Sequence, residues 1–153
     1  MTLKVGDTQS KVWSVFEAEV GPGFDVGAHF HTNGEELFYI LEGELDLLAF
    51  EPRVRTTDGW GAWTSKTGAK VVHGGPGSCM FVPTGCPHAF ANPRDRPARM
   101  LFLFSPPGHE HYMAEMGNLL ARAGPPDQAA ITALRERYDI HQLTPVVPGR
   151  RTH

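Results

Sequence analysis

The sequence predicts an all-β domain, a sandwich or barrel of short strands, followed by two short helices. Three observations predict it. Glycine (17) and proline (13) are abundant for 153 residues, which favours many tight turns over a helical bundle. Between Lys11 and Ser105, short apolar runs recur between turn signals at the spacing of a sandwich or barrel. Beyond Ser105-Pro106-Pro107-Gly108 the apolar period lengthens from two residues to that of a helix.

The elements follow in order. The first ten residues are polar and are expected to fray. From Lys11 to Val20, Val12, Ser14 and Phe16 alternate with Trp13 and Val15, the pattern of a strand that Gly21-Pro22-Gly23 ends. Strand-like runs follow at Phe24–His31, Glu36–Leu41 and Glu44–Phe50, with turns at Asn33-Gly34 and Glu42-Gly43. Residues 51–66 read as a long polar loop carrying Trp60 and Trp63. Ala69–His73, Ser78–Val82, His88–Asn92 and Ala98–Ser105 complete the strands. On the last of them either Met100, Phe102 and Phe104 or Leu101 and Leu103 face inward, and both choices are open.

His109–Arg122 places Met113, Met116, Leu119 and Leu120 at helical spacing. Pro125-Pro126-Asp127 restarts a second helix over about Asp127–Tyr138, with Asp127 as its N-cap. Both helices are expected on the outside of the barrel. The tail, with Pro145, Pro148 and Arg150-Arg151, is expected to be extended or disordered. Residues 1–153 thus form one domain: a barrel core over about 11–105, a helical appendage over about 109–138 and a tail from 139.

Composition excludes several functions. Net charge is −3, with basic residues scattered, so the footprint of a nucleic-acid binder is missing. No apolar run reaches the length of a membrane span, and Met1–Ser10 lacks the regions of a signal peptide. Two cysteines are too few for a disulfide framework. A cytoplasmic, reduced protein is the expectation. Phosphate loops, Gly-x-Ser-x-Gly elbows and Cys-x-x-Cys pairs are absent.

One constellation carries chemistry. His29 and His31 lie two apart in a strand-like run, so both project from one face with Cα atoms roughly 6.5–7 Å apart. Glu36 opens the next strand after the turn at residues 32–35, where an antiparallel neighbour can aim its carboxylate at the same point. His88 starts another strand just beyond Pro83-Thr84-Gly85. Three imidazoles and a carboxylate make a first shell for a divalent transition metal. A buried, unpaired glutamate would be costly without one.

These residues resemble a known family. Gly23-x5-His29-x-His31-x4-Glu36-x6-Gly43 and Gly77-x5-Pro83-x-Gly85-x2-His88-x3-Asn92 match both cupin motifs at every defined position, over about residues 20–105. The resemblance implies a double-stranded β-helix, a jelly-roll-type barrel, with a metal held inside by His29, His31, Glu36 and His88. Independently of the family, Gly43 and Gly85 fall at turns that favour positive φ, and Asn92 is placed to hydrogen-bond backbone near a strand end.

If Glu36 faces the interior, Phe38 and Ile40 share its face by period two, and with Phe90 they form an apolar substrate pocket beside the metal. Cys86 lacks any visible base to activate it and Cys79 reads as a small hydrophobe, so neither is a nucleophile. His73 reads as structural or solvent-facing, and His141 and His153 carry no argument. His109-Glu110-His111 imitates the first motif, but residues two apart on a helix diverge by about 200°, so an exposed helix start is expected there. Trp60 and Trp63 either form a lid over the pocket or pin a loop or a subunit contact.

The resemblance implies a metal-dependent enzyme. First comes a dioxygenase-type oxidoreductase acting on a small aromatic or enolic compound, similar to quercetinase-like single-domain cupins, with iron, nickel, manganese, cobalt or copper. Glu36 would leave the metal and serve as catalytic base. A non-redox cyclase of aromatic polyketides, using zinc or another Lewis acid, is the alternative, and a non-catalytic binding module is the third. The expected partners are a hydrophobic small molecule and a second copy of the chain, because the family often pairs through N-terminal strands.

Overall fold

The computed structural model of the chain describes residues 1–122, 124–125 and 127–149. Two five-stranded antiparallel sheets face each other as a double-stranded β-helix. The first sheet has the order β1 (Thr2–Val5), β2 (Ser14–Val20), β9 (Ala98–Ser105), β4 (Glu35–Glu42), β7 (Cys79–Val82). The second runs β10 (His141–Gln142), β3 (His29–Phe30), β8 (His88–Ala91), β5 (Leu45–Ala49), β6 (Val72–Gly74). Helices α1 (His109–Leu120) and α2 (Gln128–Arg137) follow β9.

The core between the sheets is built on aromatic register. Phe16, Phe102 and Phe38 are aligned across β2, β9 and β4. Their rings stack at 4.9 Å and 5.4 Å between centroids. Offset stacking adds to burial, which stabilises by about 1.5–3 kcal/mol per large apolar side chain. On β9 the structure chooses Met100, Phe102 and Phe104 as the buried set and leaves Leu101 and Leu103 half-buried on the outer face. Gly43 takes φ 75°, and a Cβ there would lie 2.8 Å from Ala98 Cα, so the β4–β5 turn requires glycine. Asn92 is fully buried and its amide donates to Val20 O and Arg96 O, both at 2.8 Å.

A second core lies under the long loop. Trp60 and Trp63 pack with Ala28, Leu48 and Ala89, which point away from the barrel interior. Trp60 Nε1 donates to Asp25 Oδ1 at 2.8 Å, and Trp63 Nε1 to Thr56 Oγ1 at 2.8 Å. Both indoles pin the loop, and neither lines the cavity described below.

Two expectations about the termini are corrected. Residues 2–5 are not frayed but form edge strand β1, paired with β2. Nor is the start of the tail disordered. Gln142 pairs with His29, Val147 with Asp25, and Thr144 Oγ1 accepts from Ala28 N at 2.7 Å. Arg150, Arg151 and His153 lie outside the described residues. The predicted strand at Phe24–His31 shrinks to the two residues of β3, because Gly27 turns the chain at φ 70°. Asp127 caps α2 as expected, accepting from Ala130 N at 3.1 Å. Among the described residues no helix is long and apolar enough to cross a membrane.

Candidate metal centre

The four sequence-predicted ligands meet between the sheets. His29 on β3 is registered opposite His88 on β8, and His31 follows at the end of β3. Glu36 enters from the other sheet, on β4 between Phe104 and Val82. All four are buried, and their ligand atoms lie within 4.8 Å of one another. The imidazole centroids of His29 and His88 are 4.2 Å apart, and each lies 5.3 Å from that of His31.

Backbone carbonyls set the tautomers. His29 Nδ1 lies 2.9 Å from Gly27 O, His31 Nδ1 2.9 Å from Asp139 O, and His88 Nδ1 3.1 Å from Cys86 O. A carbonyl oxygen can only accept, so every Nδ1 carries a proton and, in the neutral ring, every Nε2 presents a lone pair. Among the described residues His31 Nε2, His88 Nε2 and Glu36 Oε2 are buried without a hydrogen-bond partner. His88 Nε2 stands 2.5 Å from Glu36 Oε2, a close approach of lone pair to lone pair that a shared cation resolves. Three oriented imidazoles and a carboxylate with orphaned acceptors therefore fit a divalent transition ion.

The charges agree. Burial drives the His29 imidazole well below its usual range, helped by nearby His88. Burial opposes the Glu36 carboxylate as well, but positive charge at the His88 and His31 positions, the charge that a bound cation would supply, outweighs it and lowers the group well below its usual range. His31 is desolvated too, yet Glu36 more than compensates and raises it.

Local sequence explains the positions. Gly27 occupies the left-handed region, and a Cβ would lie 2.5 Å from Thr144 O and 2.7 Å from Pro145 O. Asp25 Oδ1 accepts from Gly27 N at 2.7 Å as well as from Trp60, so the Trp60 loop steadies the turn whose carbonyl holds His29. Gly85, at φ 78°, donates its N–H to His31 O at 2.7 Å and closes the turn that delivers His88.

The site opens onto a cavity of about 740 Å³. His29, Glu36, Phe38, Phe90, Met100 and Phe102 line its barrel side. Its roof is formed by α1, through residues such as Met113 and Met116, and by Ile131 of α2 and the tail. The helices therefore cover the barrel interior instead of decorating its outer wall. Ile40 does not join Phe38 and Phe90 in the lining: it is fully buried at the other end of β4, with its Cδ1 near Gly74. A separate groove of about 540 Å³ between α1 and α2 contains none of the four ligands.

One residue of the cavity departs from expectation. His109 is not an exposed helix start but is buried, because the turn after β9 folds α1 back over the barrel. Its ring lies flat on Phe104 at 4.4 Å. Burial pushes its pKa down to about 4. The helical phase carries the missed signal, since His109 shares a face with Tyr112, Met113 and Met116. His111 points outward to Asp7, 2.8 Å away. His73 is solvent-facing beside Asp46. Cys79 is exposed, and burial raises the Cys86 thiol, which leaves it a poor nucleophile.

Comparison with known proteins agrees on the fold. A family profile described as Cupin matches residues 6–127. No curated protein matches the chain. Among solved structures, a Klebsiella pneumoniae protein with a double-stranded β-helix domain is similar at 15% identity and a TM-score of 0.51, covering 70% of this chain and 76% of that one. The protein TT1209 of Thermus thermophilus gives 23% identity and a TM-score of 0.50, covering 69% and 84%. Oxalate decarboxylase of Bacillus subtilis, which has Mn(II) centres, gives 22% and 0.52 over 68% of this chain and 25% of that one.

Proposed function

The chain belongs to the cupin family, and from that membership we propose that it is a metal-dependent enzyme, a dioxygenase-type oxidoreductase acting on a small aromatic or enolic compound. One observation carries the reading: four converging ligand atoms open directly onto a mostly apolar cavity, lined in part by aromatic rings and covered by helices. A divalent transition ion held by His29, His31, Glu36 and His88 would supply Lewis acidity toward a phenol or enol oxygen and, where redox-active, a route for electrons to O2.

The chain's own residues supply the rest. Glu36, its carboxyl held well below its usual range at the cavity wall, is the base that accepts the proton of a substrate O–H. Phe38, Phe90 and Phe102 offer a flat ring one aromatic wall, and the methionines of α1 adapt to its far side. The roof of α1, α2 and the tail narrows access to the site, and a ligand that displaces water beneath it strengthens each polar contact there. The homodimer expected from the family belongs to the same proposal, with the free edge of β1 as the pairing strand.

The test is elemental analysis of protein purified without chelator, followed by O2 uptake with a panel of flavonols and catechols. Near-stoichiometric iron, nickel, manganese, cobalt or copper, with O2 consumption abolished in Glu36→Gln, supports the reading. A metal-loaded protein that consumes no O2 with any of them refutes the redox chemistry. The volume of the cavity favours a second reading, because about 740 Å³ lies in the upper part of the range for ligand pockets and admits several fused rings. In it the same site promotes aldol closure of a poly-β-ketone without oxidation, which predicts product formation under strict anaerobiosis.

A further inference from the structure

We propose that His109 is a substrate-contacting residue: it hydrogen-bonds a second oxygen of a planar aromatic or enolic ligand whose first oxygen sits among His29, His31, Glu36 and His88. The inference rests on the reading of that group as the metal and substrate site.

Its surroundings make an imidazole at this position hard to explain by packing. His109 lies flat on Phe104, with Phe102 at 5.5 Å, Phe16 at 6.2 Å and Tyr112 at 5.1 Å between centroids. Such an aromatic nest suits phenylalanine better than a ring with two polar nitrogens. Only 6% of the residue is exposed, yet among the described residues neither nitrogen has a hydrogen-bond partner. The ring nevertheless borders open space. That space is the cavity, whose wall His109 shares with His29 and Glu36.

His109 is not a fifth ligand. Its nitrogens fall outside the group whose atoms lie within 4.8 Å of one another, although its ring stands edge-on to His31 at 6.2 Å. An imidazole one ring away from the ligands offers an N–H and a lone pair to whatever occupies the cavity beside them. Because most of the remaining wall is apolar, with Glu19, Gln128, Arg135 and Gln142 as its polar side chains, a matching ligand carries two oxygens at the end beside His29, Glu36 and His109 and a flat, largely apolar body beyond them.

The experiment compares wild type, His109→Phe and His109→Gln, each loaded with zinc so that no turnover occurs. Metal content, thermal unfolding and absorbance titrations with 4-nitrocatechol and 4-nitrophenol are measured. His109→Phe is expected to keep its zinc and its affinity for 4-nitrophenol, which has one phenolic oxygen. It should bind 4-nitrocatechol roughly tenfold more weakly, the loss of about one hydrogen bond. His109→Gln, which restores a donor and an acceptor, should stay within about threefold of wild type. If His109→Phe fails to fold, His109→Leu takes its place.

Equal 4-nitrocatechol affinity in wild type and His109→Phe overturns the proposal, and so does loss of zinc in His109→Phe, which would make the residue part of the metal site. Zinc-loaded wild type that does not bind 4-nitrocatechol overturns the ligand class. A wild type that takes up no metal refutes the enzyme reading alone. The titrations are then made on metal-free proteins, where the same difference between wild type and variant decides the role of His109.

Discussion

Replacing Asp139 by alanine should weaken metal binding from a position outside the ligand set. Asp139 sits just past α2 at φ 57°, and its carbonyl oxygen accepts from His31 Nδ1 at 2.9 Å. Its carboxylate ties that carbonyl in place, accepting from Thr32 N and Asn33 N at 2.8 Å and from Thr32 Oγ1 at 2.6 Å. His141 Nε2 lies 2.8 Å from the same group. These bonds are partly exposed, so together they contribute about 2 kcal/mol instead of the sum for buried charge-assisted ones. Alanine adds about 1 kcal/mol for the left-handed backbone. About 3 kcal/mol in total lowers Tm by about 6–12 °C in a domain of this size. Loss of the anchor for His31 should weaken zinc about tenfold, the low end for partners that orient a metal-bound histidine. Asp139→Asn, which tolerates the same backbone and keeps one acceptor, should lose about half as much stability. The hydrogen bonds lower the carboxylate pKa despite partial burial. Its contribution is therefore complete above the unfolded value near 3.9 and lost as pH falls through the lower folded value, so the acid limb should flatten in Asp139→Ala. Thermal unfolding and competition with a chelator measure both effects. An unchanged zinc affinity alongside a lowered Tm would refute the role assigned to the tail.

Further outcomes follow from the same geometry. Gly27→Ala places a Cβ against the Thr144 and Pro145 carbonyls at positive φ, so Tm and zinc affinity should both fall, and urea unfolding with zinc competition checks it. Trp60→Ala should lose about 3–5 kcal/mol in chemical denaturation, whereas 4-nitrocatechol binding by the folded fraction should hold, since the indole lies outside the cavity. Zinc affinity should decline as pH drops through the raised His31 pKa, because a proton on Nε2 and the ion compete for one lone pair. Calorimetry in buffers of different ionisation enthalpy would detect the released proton, and a pH-independent affinity would contradict it.

How much of this was legible depended on whether a residue's role was local. Period-two patterning located β2, β4, β5 and β9 to within a few residues, and the four ligands were found because their spacing places them on facing strands. The choice between Met100, Phe102 and Phe104 and their neighbours was closed to pattern, since Leu101 and Leu103 are themselves apolar and half-buried. Strand β1 is mostly exposed, so no burial pattern marks it. The tail segment after α2 was missed for a similar reason: β10 is two residues long and is recruited by pairing with β3. Treating His109-Glu110-His111 as a surface unit ignored the phase set by Met113 and Met116, which puts His109 on the inward face.

The segments hardest to read are those on which the centre depends most directly. Strand β3 carries His29 and leads directly into His31, yet it makes one registered pair with β8 and two with β10. Without residues 141–144 it would become a two-residue edge strand, with Ala28 N and O stripped of the partners that Leu143 and Thr144 now supply. A buried backbone group left unpaired costs about 1–3 kcal/mol. Removing the tail would therefore free the segment holding His29 and His31 while leaving Glu36 and His88 on longer strands. The centre has a firm half and a conditional half, and the conditional half is fastened by the same chain that helps to roof the cavity. Metal binding, which needs both halves at once, should in turn stabilise the docked tail, by about 2.7 kcal/mol when the free ion is at a hundredfold its Kd. Protection of the Leu143 and Thr144 amides from hydrogen exchange should rise on adding zinc, and protection confined to β8 and β4 would show that the tail is docked independently of the ion.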